Sequence, residues 1–250
     1  MNVSLHCSNK RIYAETGRYP LSIDHKLHCV KYWLKIKHYD NKRIVKQAYE
    51  CLFNLTTKGN CNWVSSIRDL LCSNGYGIVW ITGEVGNTQC FLRAFKQTLI
   101  DNYFQNWNTR MLSDEHCCWY YGLKPLIATE LYFSHVHLKL NLRNILTKFR
   151  LGVSQINCHR YRFETDIILK HCPFCIQTCF EDENHVMFIC PVYNDSRKEF
   201  LSHLGFSFDH IMNCNFRLRQ FFSLHFYNIA KFLDKALSTR STILKLRSKE

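Results

Sequence analysis

A chain of 250 residues with 46% hydrophobic and 14% aromatic side chains can bury a sizeable core, which excludes a largely disordered protein. No run of about 18 apolar residues is present, so no membrane-spanning helix is expected; the opening "MNVSLHCSNKRIYAE" lacks the basic, apolar, small-residue order of a secretory signal. The net charge of +13 is uneven: counted by fifties it runs +6, +2, +2, −2 and +5, leaving both ends basic and the stretch 151–200 acidic.

Apolar spacing of three to four residues predicts helices along most of the chain. After Pro20, "SIDHKLHCVKYWLKI" places Ile23, Leu27, Val30 and Leu34 on one stripe, with Lys26, Lys31 and Lys35 on a basic outer face. "RIVKQAYECLFNL" repeats the pattern at Ile44, Ala48, Cys51 and Leu55, and "NWVSSIRDLLCSNG" runs to a glycine stop at Gly75. "GIVWI", 77–81, reads as a rare strand. The turn that follows, with Gly83 and Gly86 before Asn87, lacks the spacing and lysine of a phosphate-binding loop and reads as a turn with a helix cap. Beyond it Phe91, Phe95, Leu99, Tyr103 and Trp107 mark a long helix. "ELYFSHVHLKLNLRNILTKFR" predicts one helix, with Leu131, His135, Leu138, Leu142, Ile145 and Phe149 facing inward and Lys139, Arg143, Lys148 and Arg150 supplying basic charge. Helices near 195–204 and 216–237 follow, then a basic tail, "STRSTILKLRSKE".

The stretch "HCPFCIQTCFEDENHVMFICP", 171–191, carries the chemistry. Cys172 and Cys175, with Pro173 between them, form a turn that lets two thiolates face one ion, and His185 and Cys190 complete a C-x2-C-x9-H-x4-C set. Four nitrogen and sulfur ligands suit tetrahedral zinc, and a closed Cys3His set leaves no position for water, so one structural zinc is expected. His171 and Cys179 stand as alternative ligands. Glu181, Asp182 and Glu183 read as an acidic surface loop, a poor phosphate clamp. The remaining thiols are expected to be free. Fourteen cysteines without a repeated framework belong in a reducing compartment, nucleus or cytoplasm, where the Asn-x-Ser/Thr triplets at Asn2, Asn54 and Asn194 carry no weight.

"CPFC" followed by "EDENHVMFICPVY" resembles the zinc-binding module at the C-terminal end of the reverse-transcriptase polyprotein of non-LTR (LINE-type) retrotransposons. "ETGRYPLSIDHKLHCVKYWLKI", "VGNTQCFLRAFKQTLIDNYFQNW" and "LTKFRLGVS" are similar to the region those elements carry between polymerase and zinc module, and the resemblance covers roughly residues 11–200. It implies a post-polymerase tail that binds element RNA or target DNA, beside upstream reverse-transcriptase domains, with Cys172, Cys175, His185 and Cys190 as zinc ligands.

Polymerase chemistry needs paired carboxylates holding two divalent ions, and no Asp-Asp occurs here; the acidic pair Asp114-Glu115 and the run 181–183 read as surface loops. No cysteine sits in a recognisable nucleophile context. The expectation is therefore a mainly α protein without catalysis of its own. It divides into a helical region at 11–155, a zinc module at 156–205 and a C-terminal helix and basic tail at 206–250. Weak, salt-sensitive binding to RNA or DNA is expected through Lys26, Lys31, Lys35, Lys139, Arg143, Lys148 and Arg150. A zinc-stapled helical protein-interaction domain is the alternative.

Overall fold

The computed structural model describes residues 7–114, 117–175, 179–205 and 215–249. Its helices in chain order are α1 (Asn9–Thr16), α2 (Leu21–Lys37), α3 (Ile44–Thr57), α4 (Trp63–Ser73), α5 (Gly77–Thr82) and α6 (Thr88–Ser113). There follow α7 (Cys118–Leu123), α8 (Leu131–Ser134), α9 (Leu140–Arg150), α10 (Asn157–Arg160), α11 (Asn194–Phe200), α12 (Asn215–Leu224) and α13 (Phe226–Arg247). The chain is mainly α, with a small cysteine-histidine module ahead of C-terminal helices; among the described residues the only β pairing is an isolated antiparallel bridge, His171 with Phe180.

The chain forms two compact units, Tyr19–Trp107 and the combination of Met1–Arg18 with Asn108–Glu250. This division differs from the expected three parts. The cysteine module has no core of its own: Cys172, Val186, Met187 and Cys190 share one buried cluster with Leu142, Leu146 and Phe149 of α9 and with Ile229, Phe232 and Leu233 of α13.

In the Tyr19–Trp107 unit, Ile23, Val30 and Leu34 of α2 and Phe91, Phe95 and Leu99 of α6 form the core, as their spacing predicted, with Leu27 partly buried; Trp33 of α2 and Val64, Ile67 and Leu71 of α4 join them. Helix α4 begins at Asn62, whose side chain accepts from the Val64 and Ser65 amides (2.8 and 3.2 Å), while Ser65 Oγ accepts from the Asn62 amide (2.8 Å). Helix α3 turns the face opposite to the expected one inward. Ile44, Ala48, Cys51 and Leu55 are all exposed, and Tyr49 and Thr56 are buried. The reason is aromatic packing: Tyr49 reaches Phe53 (6.1 Å between ring centroids), Phe53 reaches Trp80 (5.9 Å), and Trp80 stacks on Trp33 (5.7 Å). Large rings bury more area than the Ile-Ala-Cys-Leu stripe and win the interior. The expected strand 77–81 is the short helix α5 for the same reason. One helical turn puts Val79 inside and leaves Ile78 and Ile81 outside, before Gly83 ends it at φ 71°.

In the other unit, the expected continuous helix 130–150 is broken into α8 and α9. Leu138, Leu142 and Phe149 are buried as predicted, Leu131 is exposed, and Leu146 takes the inward position in place of half-buried Ile145. The break lets Tyr132 Oη donate to Glu15 Oε1 (2.6 Å), and Arg143 donates across it to the carbonyls of His135 (3.1 Å) and Leu138 (3.3 Å). Glu15 is fully buried and also receives Arg150 Nε (2.5 Å) and Tyr120 Oη (3.0 Å). Arg150 bonds Glu130 as well (3.1 Å), which in turn holds Lys124 (2.5 Å). Two carboxylates and two cations thus satisfy one another inside the protein, the condition under which buried charge is tolerated. Gly17 ends α1 at φ 64° in a space no side chain fits, since a Cβ there would lie 2.4 Å from the Thr129 amide nitrogen. Near the C-terminus the expected helix 216–237 is interrupted at His225, and the expected basic tail continues as helix to Arg247.

Candidate metal centre

Local geometry gathers the four expected ligands. The His171–Phe180 bridge is closed by the Cys172 amide donating to the Cys179 carbonyl (2.8 Å) and the Glu181 amide to the Lys170 carbonyl (2.9 Å), so the Cys172–Cys175 turn sits at the tip of a hairpin. Asp182 Oδ1 then accepts the His185 amide (2.7 Å) and starts a π-helical turn, His185–Ile189, closed by the Cys190 amide on the His185 carbonyl (2.8 Å). In an α-helix residues five apart diverge by about 140°; the wider turn brings His185 and Cys190 to the same side.

The ligand atoms of Cys172, Cys175, His185 and Cys190 lie within 4.8 Å of one another. Cys172 Sγ is 3.9 Å and Cys175 Sγ 3.7 Å from Cys190 Sγ, and Cys175 Sγ is 3.4 Å from His185 Nε2. A tetrahedral ion with sulfur at about 2.3 Å and nitrogen at about 2.0–2.1 Å would have edges of about 3.8 Å between sulfurs and about 3.6 Å from sulfur to nitrogen. The group therefore fits a tetrahedral metal ion. Cys179 Sγ is 3.8 Å from His185 Nε2, and His171 is occupied elsewhere, stacking on Phe180 at 5.2 Å. Crowding makes the thiols unequal: a hydrogen bond from Cys190 lowers the pKa of Cys172, the same contact raises Cys190, and burial raises Cys175. His185 Nδ1 is buried with no hydrogen-bond partner among the described residues. The ring is thus oriented by the thiols on its other nitrogen rather than by a carboxylate behind it.

The acidic run is not the solvated loop expected. Glu181 is fully buried, accepting Arg240 Nε on Oε1 (2.7 Å) and Arg240 Nη2 on Oε2 (2.8 Å), together with the Asn157 amide (2.7 Å). Asn157 completes the node through Arg240 (2.7 Å) and the His171 carbonyl (2.8 Å). Asp182 caps the histidine turn, and Glu183 receives His159 Nε2 (2.8 Å). Ser154, His159 and Glu183 thereby form a line resembling nucleophile, base and acid. However, the His159 Nδ1 facing Ser154 Oγ (2.8 Å) also accepts the Ser154 amide (3.1 Å), so its lone pair is engaged and the line serves as a tether. Of the other acidic pair, Asp114 accepts a Cys117 thiol (3.1 Å) and Glu115 lies outside the described residues.

Arg197 of α11 donates to the carbonyls of Val186 (3.1 Å) and Cys190, pinning the histidine turn. Sequence reading did not identify Arg197, Asn157 or Arg240 as supports. Arg240 carried a signal, since it falls on the Ile229, Leu233, Ala236 stripe of α13 where a charge implies a buried partner.

The expected nucleic-acid residues divide. Lys26, Lys31 and Lys35 are exposed on α2, Lys139 is exposed, and Lys148 is half-buried. Arg143 serves the α8–α9 break through its bonds to His135 and Leu138. Arg150 is 2% exposed and held by Glu15 and Glu130, so the expectation that it meets a phosphate is overturned: its charge is already neutralised inside the fold. No helix among the described residues is long and apolar enough to cross a membrane. Comparison of the chain with protein-family models, curated proteins and solved structures gives no match.

Proposed function

We propose that the protein is a zinc-stapled nucleic-acid-binding module without polymerase or nuclease chemistry, akin to the post-polymerase tail of a non-LTR reverse transcriptase. The observation that carries the reading is the Cys3His cluster, whose donor set and edges suit zinc and close all four positions, a structural rather than catalytic arrangement. Two segments that bear the resemblance, "ETGRYP" and "LTKFRLGVS", supply both partners of the buried Glu15–Arg150 pair, and the module's own acidic run supplies Glu181, one partner of the pair with Arg240. The surplus of positive charge supports a polyanionic partner. The test is a titration of the full zinc-loaded chain against RNA, single-stranded DNA and duplex DNA at several salt concentrations. Dissociation constants of about 10⁻⁴ to 10⁻⁶ M that weaken steeply with salt are expected. Absence of binding at about 50 mM salt would overturn the reading.

The second reading, a protein-interaction domain, is favoured by one feature. Helix α3 exposes Ile44 (82%), Val45, Ala48, Cys51 and Leu55 along one side. Loss of nucleic-acid binding together with concentration-dependent association abolished by Ile44→Ser would select it.

A further inference from the structure

The buried cations of the Asn108–Glu250 part are committed to the fold: Arg150 to Glu15 and Glu130, Arg240 to Glu181, Lys124 to Glu130, Arg197 to backbone carbonyls. A different set is not. Along the seam where α13 packs on α9, two depressions of about 640 and 320 Å³ share Asp234 and Ser238 as lining residues and so form one trough. Lys139, Lys148, Arg160, Lys231 and Lys235 line it, and among the described residues none of the five has a carboxylate within 4.0 Å. Among the described residues Asp234 is the one acidic residue lining it, while half-buried Ile145, Leu237 and Phe200 give it apolar ground.

Helix periodicity produces this arrangement. On α13, Lys231, Asp234, Lys235, Ser238 and Ser241 recur at spacings of three and four, on the side away from buried Ile229, Leu233, Ala236 and Arg240. On α9, Lys148 lies two steps of three from Leu142, with Lys139 just before the first turn. Five unneutralised cations against one carboxylate form a track for a chain of phosphates. The apolar surface among them is what unpaired bases rest on, and a duplex, with its bases stacked inside, has no use for it.

We infer that this α9–α13 trough is the path of a single-stranded nucleic acid, phosphates on the lysine and arginine rim and bases toward Ile145, Leu237 and Phe200. The inference rests on the nucleic-acid reading above and names its surface. Five phosphate contacts at about 0.7 each predict a log–log salt slope near −3.5 for single strands.

The experiment measures anisotropy of labelled oligo-dT and oligo-U, and of a duplex of equal length, with the full zinc-loaded chain. Lys148→Glu/Lys235→Glu is compared with Lys31→Glu/Lys35→Glu, which changes net charge equally on α2. Circular dichroism and zinc content confirm that both variants fold. The trough variant should bind single strands at least about tenfold more weakly, with a slope shallower by about 1.4, and the α2 variant less than about threefold more weakly. Equal weakening by both variants, or tighter binding of the wild type to duplex than to single strands, would overturn the inference while leaving nucleic-acid binding intact. Binding to neither would sink the functional reading itself. Photo-crosslinking of wild-type protein to 4-thiouridine RNA needs no variant. Adducts within 139–148 and 231–241 are expected, and adducts confined to 21–37 would refute the assignment.

Discussion

Replacing Arg240 with methionine removes three hydrogen bonds of 2.7, 2.8 and 2.7 Å and leaves Glu181, with no exposed surface, holding a charge with only the Asn157 amide beside it. Breaking a buried pair from one side costs about 3–5 kcal/mol, because the remaining ion keeps its desolvation penalty and loses the attraction that offset it. For a protein of this size 1 kcal/mol corresponds to about 2–4 °C, so the melting temperature of the zinc-loaded chain should fall by about 6–20 °C. Removing the charge from both sides behaves differently: Arg240→Met/Glu181→Gln keeps an acceptor for the Asn157 amide and strands no ion, and should recover most of the loss. Calorimetry of the four proteins of this double-mutant cycle gives the coupling directly. Hydrogen exchange locates it, with faster exchange expected in peptides covering 157–190 and little change in those covering 19–107. A melting point lowered by less than about 2 °C in Arg240→Met, or a double variant no more stable than the single one, would refute the reasoning that this pair clamps the metal module.

Metal analysis of the purified chain should return one zinc per molecule, and Cys175→Ser should lower it well below one, since one of the four ligand positions of the tetrahedron is lost; full retention would refute the ligand assignment. Burial is the largest single influence on Glu183 and opposes its ionisation, but the hydrogen bond and charge of His159, a backbone hydrogen bond and the charge of Arg11 together outweigh it and hold the carboxyl below its ordinary range. A depressed carboxylate contributes stability that is present above about pH 4.3, its unfolded value, and lost as pH falls through the folded value. Glu183→Gln should therefore be less stable than wild type at pH 7, with the difference vanishing in acid; a constant difference down to pH 3 in denaturation curves would contradict this. Tyr49→Ala should cost about 3–5 kcal/mol in urea unfolding, against less than about 0.5 kcal/mol for Ile44→Ala, and the reverse order would restore the α3 face expected from sequence.

The cysteine-histidine cluster was legible in the sequence because its geometry is local. Its four members lie within residues 172–190, where one hairpin turn and one capped helical turn settle their relative positions. The same holds for the helices α2 and α6, where one apolar stripe dominates and has only one way to face inward. Helix α3 offered two stripes, and its own residues do not choose between them; the choice came from Trp33 and Trp80, supplied by other helices. Periodicity likewise carried the reading of 130–150 across a break that brings Tyr132 onto Glu15 of α1, a contact no local pattern announces. Charge was least readable. Arg150 and Lys148 are two residues apart and look alike in sequence, yet Arg150 meets a carboxylate 135 residues away and Lys148 meets none among the described residues. Glu181 was grouped with the solvated acids until Arg240, 59 residues on, neutralised it. A hydrophobic period is a property of one segment, but whether a charge is buried, paired or left free depends on which other segment the topology brings within a few ångströms, and that is decided only by the tertiary fold.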